Sequence, residues 1–228
     1  MSESGAMGPG IMPIDREAWG KKINLCNFIN AYYQMRDVGE FAAVKRILLI
    51  GPGQGLDTVV LRWRGYEVTT FDIDTTFKPN VVGSVHDMDM FKDSDFDVAI
   101  ASHVLEHLPL SYLDKALAEI ARVARHAIIY LPVHGRTIQM RLAPGLLGWD
   151  WSWIIDICYW WRKPNDEKAR FMSGQHFWEI GLWSCSLKAI RERMENFFEI
   201  KRVYRNHDWR PSMNFLLSSR QHSPSVTK

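Results

Sequence analysis

The chain has 228 residues, of which 46% are hydrophobic and 24% charged, and its formal net charge is +2. That length suits one α/β domain with an added lid and is short for two independent domains. The composition excludes a disordered chain, and so small a charge excludes an electrostatic grip on a polyphosphate.

Residues 1–15 open with small, polar, glycine-rich sequence and read as a disordered N-terminus, not a secretory signal. No apolar run is long enough to span a bilayer. Cys26, Cys158 and Cys185 are odd in number and far apart, so they fit neither a disulfide framework nor C-x-x-C metal spacing. Reduced thiols in a cytoplasmic protein are the expectation. Arg16 to Val44 carries apolar residues at Ile23, Cys26, Phe28, Ile29 and Tyr32, a helical spacing that predicts one or two helices against the sheet. Tyr32 and Tyr33 are core aromatics or line a ligand crevice.

Ile47 to Gly55 reads Ile-Leu-Leu-Ile-Gly-Pro-Gly-Gln-Gly, an aliphatic run ending in three alternating glycines. Four aliphatics before such a turn suit a strand buried on both faces. Gly51, Gly53 and Gly55 let the backbone approach a ligand, and a helix over Leu56 to Arg64 follows. A second strand, Glu67 to Phe71, ends on Asp72, placed to accept hydrogen bonds from ribose hydroxyls, with Ile73 beside it. Together these features describe a nucleoside-binding crevice. Leu56 stands where a dinucleotide fingerprint has its third glycine, which counts against NAD.

Pro79 leaves no room for a full helix before the third strand, Val81 to Val85. The fourth strand is Phe96 to Ala101, and an amphipathic helix over Ser111 to Ala124 leads to a fifth, Ala127 to Leu131. Residues 135–175 break the α/β rhythm. This insertion holds Trp149, Trp151, Trp153, Trp160 and Trp161, half of the ten tryptophans. It reads as a lid over an apolar or saccharide acceptor, as an interfacial helix making peripheral membrane contact, or as a homodimer interface. A helix over Leu187 to Met194 and strands over Phe197 to Tyr204 and Asn214 to Ser218 complete the domain (16–218), before a polar tail (219–228).

The glycine loop, together with Asp95-Phe-Asp-Val-Ala-Ile-Ala-Ser-His-Val-Leu-Glu-His-Leu-Pro109, resembles the class I S-adenosylmethionine-dependent methyltransferases. The second block, with Leu105-Glu106-His107-Leu108, is the more specific, and the likeness runs from Val44 to Pro132. It implies a Rossmann-like seven-stranded sheet, mostly parallel with an antiparallel C-terminal strand, and helices on both faces. It also implies S-adenosylmethionine as the cofactor. Gly51, Gly53 and Gly55 would lie under the methionine and ribose, and Asp87 and Met88 would form the adenine pocket, although Asp89 and Met90 repeat the pair. Ser102 and His103 would edge the methionine. Leu49 occupies a position where the family often has an acid, so the methionine amino group depends on backbone carbonyls or another side chain.

Methyl transfer is an in-line displacement, and a hydroxyl acceptor also needs a base within hydrogen-bond reach. The candidates are His176, then His134 near Arg136, then His103; Glu179 is expected to orient His176 on a helical turn. Glu106 and His107 read as mainly structural. No histidine or carboxylate set shows metal-ligand spacing. The expected activity is methyl transfer to a small-molecule acceptor, a hydroxyl of a sugar or natural-product scaffold. The alternatives are a nucleic-acid methyltransferase, with Lys201, Arg202, Arg205 and Arg210 as a thin basic stretch, and a non-catalytic cofactor-binding module.

Overall fold

The computed structural model describes residues 25–142, 151–157, 175–206 and 212–222. The expected disordered N-terminus, Cys158, Trp149, Trp160, Trp161 and Arg210 lie outside the described residues, as do the side chains of Arg136, Trp151 and Trp153.

The first described helix, α1 (Leu25–Val38), leads into β1 (Arg46–Ile50). In β1, side chains alternate between two separate cores. Leu48 and Ile50 face one cluster, while Ile47 and Leu49 face the other, and all four are buried. This burial on both faces is what a continuous aliphatic run encodes. The sheet continues with β2 (Glu67–Asp72), β3 (Val81–Val82), β4 (Phe96–Ser102), β5 (Ala124–Pro132), β8 (Phe198–Arg205) and β9 (Ser212–Ser219). Its order is β3-β2-β1-β4-β5-β9-β8. The β1–β2, β1–β4, β2–β3 and β4–β5 pairs are parallel, and β9 runs antiparallel to both β5 and β8.

Helices cover both faces. Tyr33 and Val38 of α1 and Leu61 of α2 (Leu56–Trp63) pack with Ile47 and Leu49. On the other face, Leu113, Leu117 and Ile120 of α3 (Leu113–Val123) join Ile190 and Met194 of α4 (Leu187–Glu195). The α1 helix is pinned by a buried polar knot. The Asp37 carboxylate accepts from the Tyr130 hydroxyl on β5 and the Tyr204 hydroxyl on β8, and pairs with Arg36 at 2.7 Å. The Arg36 guanidinium also lies over the Tyr33 ring, 4.4 Å from its centroid.

The second helix is reduced to a 3-10 turn, Thr75–Phe77, as expected from Pro79. Other expectations shift. β3 is shorter than expected, and β5 begins at Ala124, three residues early. In the tryptophan-rich insertion, β6 (Arg136–Leu142) pairs antiparallel with β7 (Trp151–Ile157), so these residues form a hairpin rather than an interfacial helix. Order extends past Ser218: Ser219 is buried, with its hydroxyl donating to the Ala121 carbonyl, and a 3-10 turn spans Arg220–His222. Among the described residues, no helix is long and apolar enough to cross a membrane.

Candidate active site

Because β2 and β4 flank β1 on opposite sides, the chain leaves β1 at a topological switch point, where open α/β sheets form their ligand crevice. The loop there holds Gly51 at φ 69°, Gly53 at φ 51° and Gly55 at φ 81°. Two of these glycines serve different needs. A Cβ on Gly51 would stand 2.5 Å from Val104 Cγ2, so glycine is required there by the turn leaving β4. A Cβ on Gly55 would meet nothing within 4 Å, so that side of the loop is open. Gly55 is also the N-cap of α2, so unbonded helix amides begin beside this open space.

Asp72 ends β2 half-buried, with Oδ1 accepting from the Asp74 amide at 2.8 Å, which fixes the carboxylate at the crevice; Ile73 follows, also half-buried. Beyond β3, Asp87 is exposed and Met88 fully buried. The Met88 backbone is tied to α3 through Glu119 and Arg122, whereas Met90 is exposed. The duplicated Asp-Met pair is therefore unequal, and only Met88 is buried in the core. Of the two early tyrosines, Tyr33 is buried and Tyr32 exposed.

Ser102 ends β4, and its hydroxyl exchanges hydrogen bonds with the Asn30 side chain of α1. His103 follows at φ 56°, a left-handed conformation costly for a side chain with a Cβ. Its amide donates to the Tyr130 carbonyl at 3.0 Å, and its side chain is about one-third exposed. The neighbouring Asp57 escaped sequence reading because an acid in a first helical turn reads as a dipole complement. Burial raises its carboxyl to about 6, against the opposing pull of the Gln34 amide, 2.8 Å away, and of His103.

The remaining candidates converge beyond β4 and β5. Residues 175–180 are threaded between strand ends: the Phe177 amide donates to the Glu106 carbonyl, the His134 amide to Ile180 and the Ile180 amide to Pro132. Glu179 bridges two histidines, with Oε1 2.8 Å from His176 Nδ1 and Oε2 2.8 Å from His134 Nδ1. The expected His176–Glu179 pair exists, but on a bent, non-helical segment and not on a helical turn; a bridge from Val133 to Ile180 ties this segment down just past β5. His176 and His134 are both buried, which corrects their ranking as accessible bases and leaves His103 the most open of the three.

Glu106 is fully buried and faces His176 Nε2 at 3.8 Å and His103 Nδ1 at 3.4 Å, both through Oε1. Burial pushes its carboxyl up, and the surrounding His103, His107 and His176 more than offset this, holding it below the usual range. The His107 and His176 rings meet edge-on, centroids 4.9 Å apart. Glu106, His107 and His176 can each bring one ligand atom within 4.8 Å of the others, a convergence that sequence spacing could not show.

A model of the family described as "Methyltransferase domain" matches residues 48–129. Among solved structures, the PH0226 protein of Pyrococcus horikoshii OT3 is 13% identical with a TM-score of 0.56, over 88% of this chain and 93% of that one. The glycopeptide N-methyltransferase MtfA, solved with S-adenosyl-L-homocysteine, is 11% identical with a TM-score of 0.53, over 93% of this chain and 100% of that one. An S-adenosylmethionine-dependent methyltransferase of Clostridium acetobutylicum ATCC 824 is 7% identical with a TM-score of 0.54, over 87% and 93%. No curated protein matches in sequence. Residues 48–129 thus match a methyltransferase-domain family, and the chain shares its fold with S-adenosylmethionine-dependent methyltransferases.

Proposed function

We propose that the protein transfers the methyl group of S-adenosylmethionine to a hydroxyl of a small-molecule acceptor, a sugar or natural-product scaffold. The observation that carries this reading is one sheet edge bearing both the open glycine loop with Asp72 and, past His103, a buried histidine–carboxylate cluster. When bound, the cofactor supplies a methyl carbon activated by a positive sulfonium. The backbone at Gly51, Gly53 and Gly55 supports the methionine and ribose, and Asp72 accepts from the ribose hydroxyls, with Ile73 beside it. Asp87 and Met88 bound the adenine, and Ser102 and His103 edge the methionine.

Leu49 leaves the methionine ammonium without the family's usual acid, and Asp57 takes that role. A carboxyl raised by burial gains a counter-charge when a cation arrives. His103, the accessible histidine, receives the acceptor proton, while Glu179 holds His176 and His134 in place. The basic stretch on β8 offers little to a nucleic acid, since Lys201 pairs with Glu199 and Arg202 with Glu40.

A screen with methyl-labelled cofactor tests the reading. Label should enter hydroxyl-bearing small molecules; incorporation into RNA, or none with cofactor bound, would replace it with one of the two alternatives above. Asp57 gives a further expected result. Cofactor affinity should be full above about pH 6 and decline as pH falls through that value, because protonation removes the ammonium's counter-charge. Without ligand the sign reverses: a raised carboxyl pKa makes the folded state the better proton binder, so this group's contribution to stability grows as pH drops through about 6. Asp57→Asn should flatten both slopes and weaken cofactor binding by about 1.5–3 kcal/mol. Titration calorimetry and thermal melts across pH measure the pair; a wild-type affinity flat from pH 5 to 8 removes Asp57 from the site.

A further inference from the structure

The cluster past His103 has the chemistry of a metal site rather than of a satisfied core. Glu106 is fully buried, and neither of its carboxylate oxygens makes a hydrogen bond among the described residues. Among those residues its only close partners are His103 Nδ1 at 3.4 Å and His176 Nε2 at 3.8 Å, both on Oε1, and a buried carboxylate is stabilised further by binding a metal. Its neighbours are prepared to the same end. His107 Nδ1 lies 3.0 Å from the Gln175 carbonyl oxygen, which can only accept, so Nδ1 carries the proton and Nε2 keeps its lone pair. His176 Nδ1 donates to Glu179 Oε1 at 2.8 Å, so in the neutral ring its Nε2 likewise carries a lone pair, and that nitrogen faces Glu106 Oε1.

A histidine oriented by a carboxylate or carbonyl on its far nitrogen is the usual arrangement around a metal ligand. Here both histidines have it, and Glu179 extends the outer layer to His134. The three ligand atoms lie within 4.8 Å of one another. Bonds of about 2.0–2.2 Å bring such atoms to roughly 3–4 Å apart, so closing on an ion needs only small side-chain shifts. Structural zinc sites take four protein ligands, whereas three leave a position open for substrate.

We propose that Glu106, His107 and His176 bind one divalent transition-metal ion through a carboxylate oxygen and two Nε2 atoms. Two imidazoles favour zinc, iron(II), cobalt(II) or nickel(II) over magnesium, calcium and manganese(II), which prefer oxygen ligands. The ion's role in catalysis rests on the hydroxyl-acceptor reading above; its binding does not. In the transfer, the acceptor hydroxyl would lose its proton to His103 as its oxygen bonds to the methyl carbon, with the ion adding positive charge behind His103. The carbon–sulfur electron pair stays on sulfur, leaving a neutral thioether.

The test uses the full chain, stripped with a chelator and titrated with cobalt(II) without cofactor. Visible absorption bands should saturate at one equivalent and be displaced by zinc, and the metal should raise the melting temperature. Glu106→Gln and His107→Gln should each weaken cobalt binding at least about tenfold. Cobalt should raise the melting temperature of Glu106→Gln less than that of the wild type, because the substitution removes the anionic ligand. The variant's affinity for S-adenosyl-L-homocysteine should be unchanged, which separates a failure of the metal site from a failure of the cofactor reading. No cobalt bands, or cobalt binding unaltered by both substitutions, would overturn the proposal.

Discussion

Asp37→Ala should lower the free energy of unfolding by about 3–5 kcal/mol, the usual cost of removing one partner from a buried charged network. At about 2–4 °C per kcal/mol for a chain of this size, the melting temperature should fall by about 6–20 °C. The cause is local. Asp37 is fully buried and is the shared acceptor of two hydroxyls from β5 and β8, so its loss leaves Tyr130 and Tyr204 with donors and no carboxylate between them. Burial already raises the Tyr130 hydroxyl well above its ordinary value, and the adjacent carboxylate adds to that, so ionisation of the tyrosine does not relieve the cost. The substitution should also reach the site, since α1 carries Asn30 against Ser102 and Gln34 against Asp57. Urea denaturation with an unchanged slope measures it. A loss under 1 kcal/mol would mean that apolar packing alone seats α1.

Glu179→Ala should have the second large effect. Its carboxylate is the acceptor for both His134 and His176, each buried. An unsatisfied buried donor costs about 1–3 kcal/mol, so two should cost about 2–6 kcal/mol. Glu179→Gln keeps a single acceptor oxygen and separates positioning from folding. It should melt much closer to wild type yet turn over about 10–100-fold more slowly, the usual penalty for losing an orienting partner. Steady-state kinetics of the glutamine variant decide between the roles. A kcat near wild type would leave Glu179 as a brace between β5 and the 175–180 segment.

The parts legible in the sequence are those whose physics is local. The aliphatic run of β1 and its glycine exit can hardly encode anything but a strand buried on both faces and a tight turn. Pro79 forbade the second helix for a steric reason. The β6–β7 hairpin was missed although Thr137, Gln139 and Arg141 alternate with Ile138, Met140 and Leu142, a period-two pattern. Asp57 was invisible because its significance depends on burial beside Gln34 on another helix. Glu106, His107 and His176 meet only because the segment over 175–180 is pinned to the turn following β4. Sequence spacing carries no record of that.

Calorimetric titration of the intact protein with S-adenosyl-L-homocysteine asks most directly whether the crevice beside the glycine loop grips the spent methyl donor. The account predicts one site per chain, and a loss of about 1.5–3 kcal/mol in Asp72→Ala from the missing ribose hydrogen bonds. No binding to the wild type, or an affinity that Asp72→Ala leaves unchanged, would contradict it.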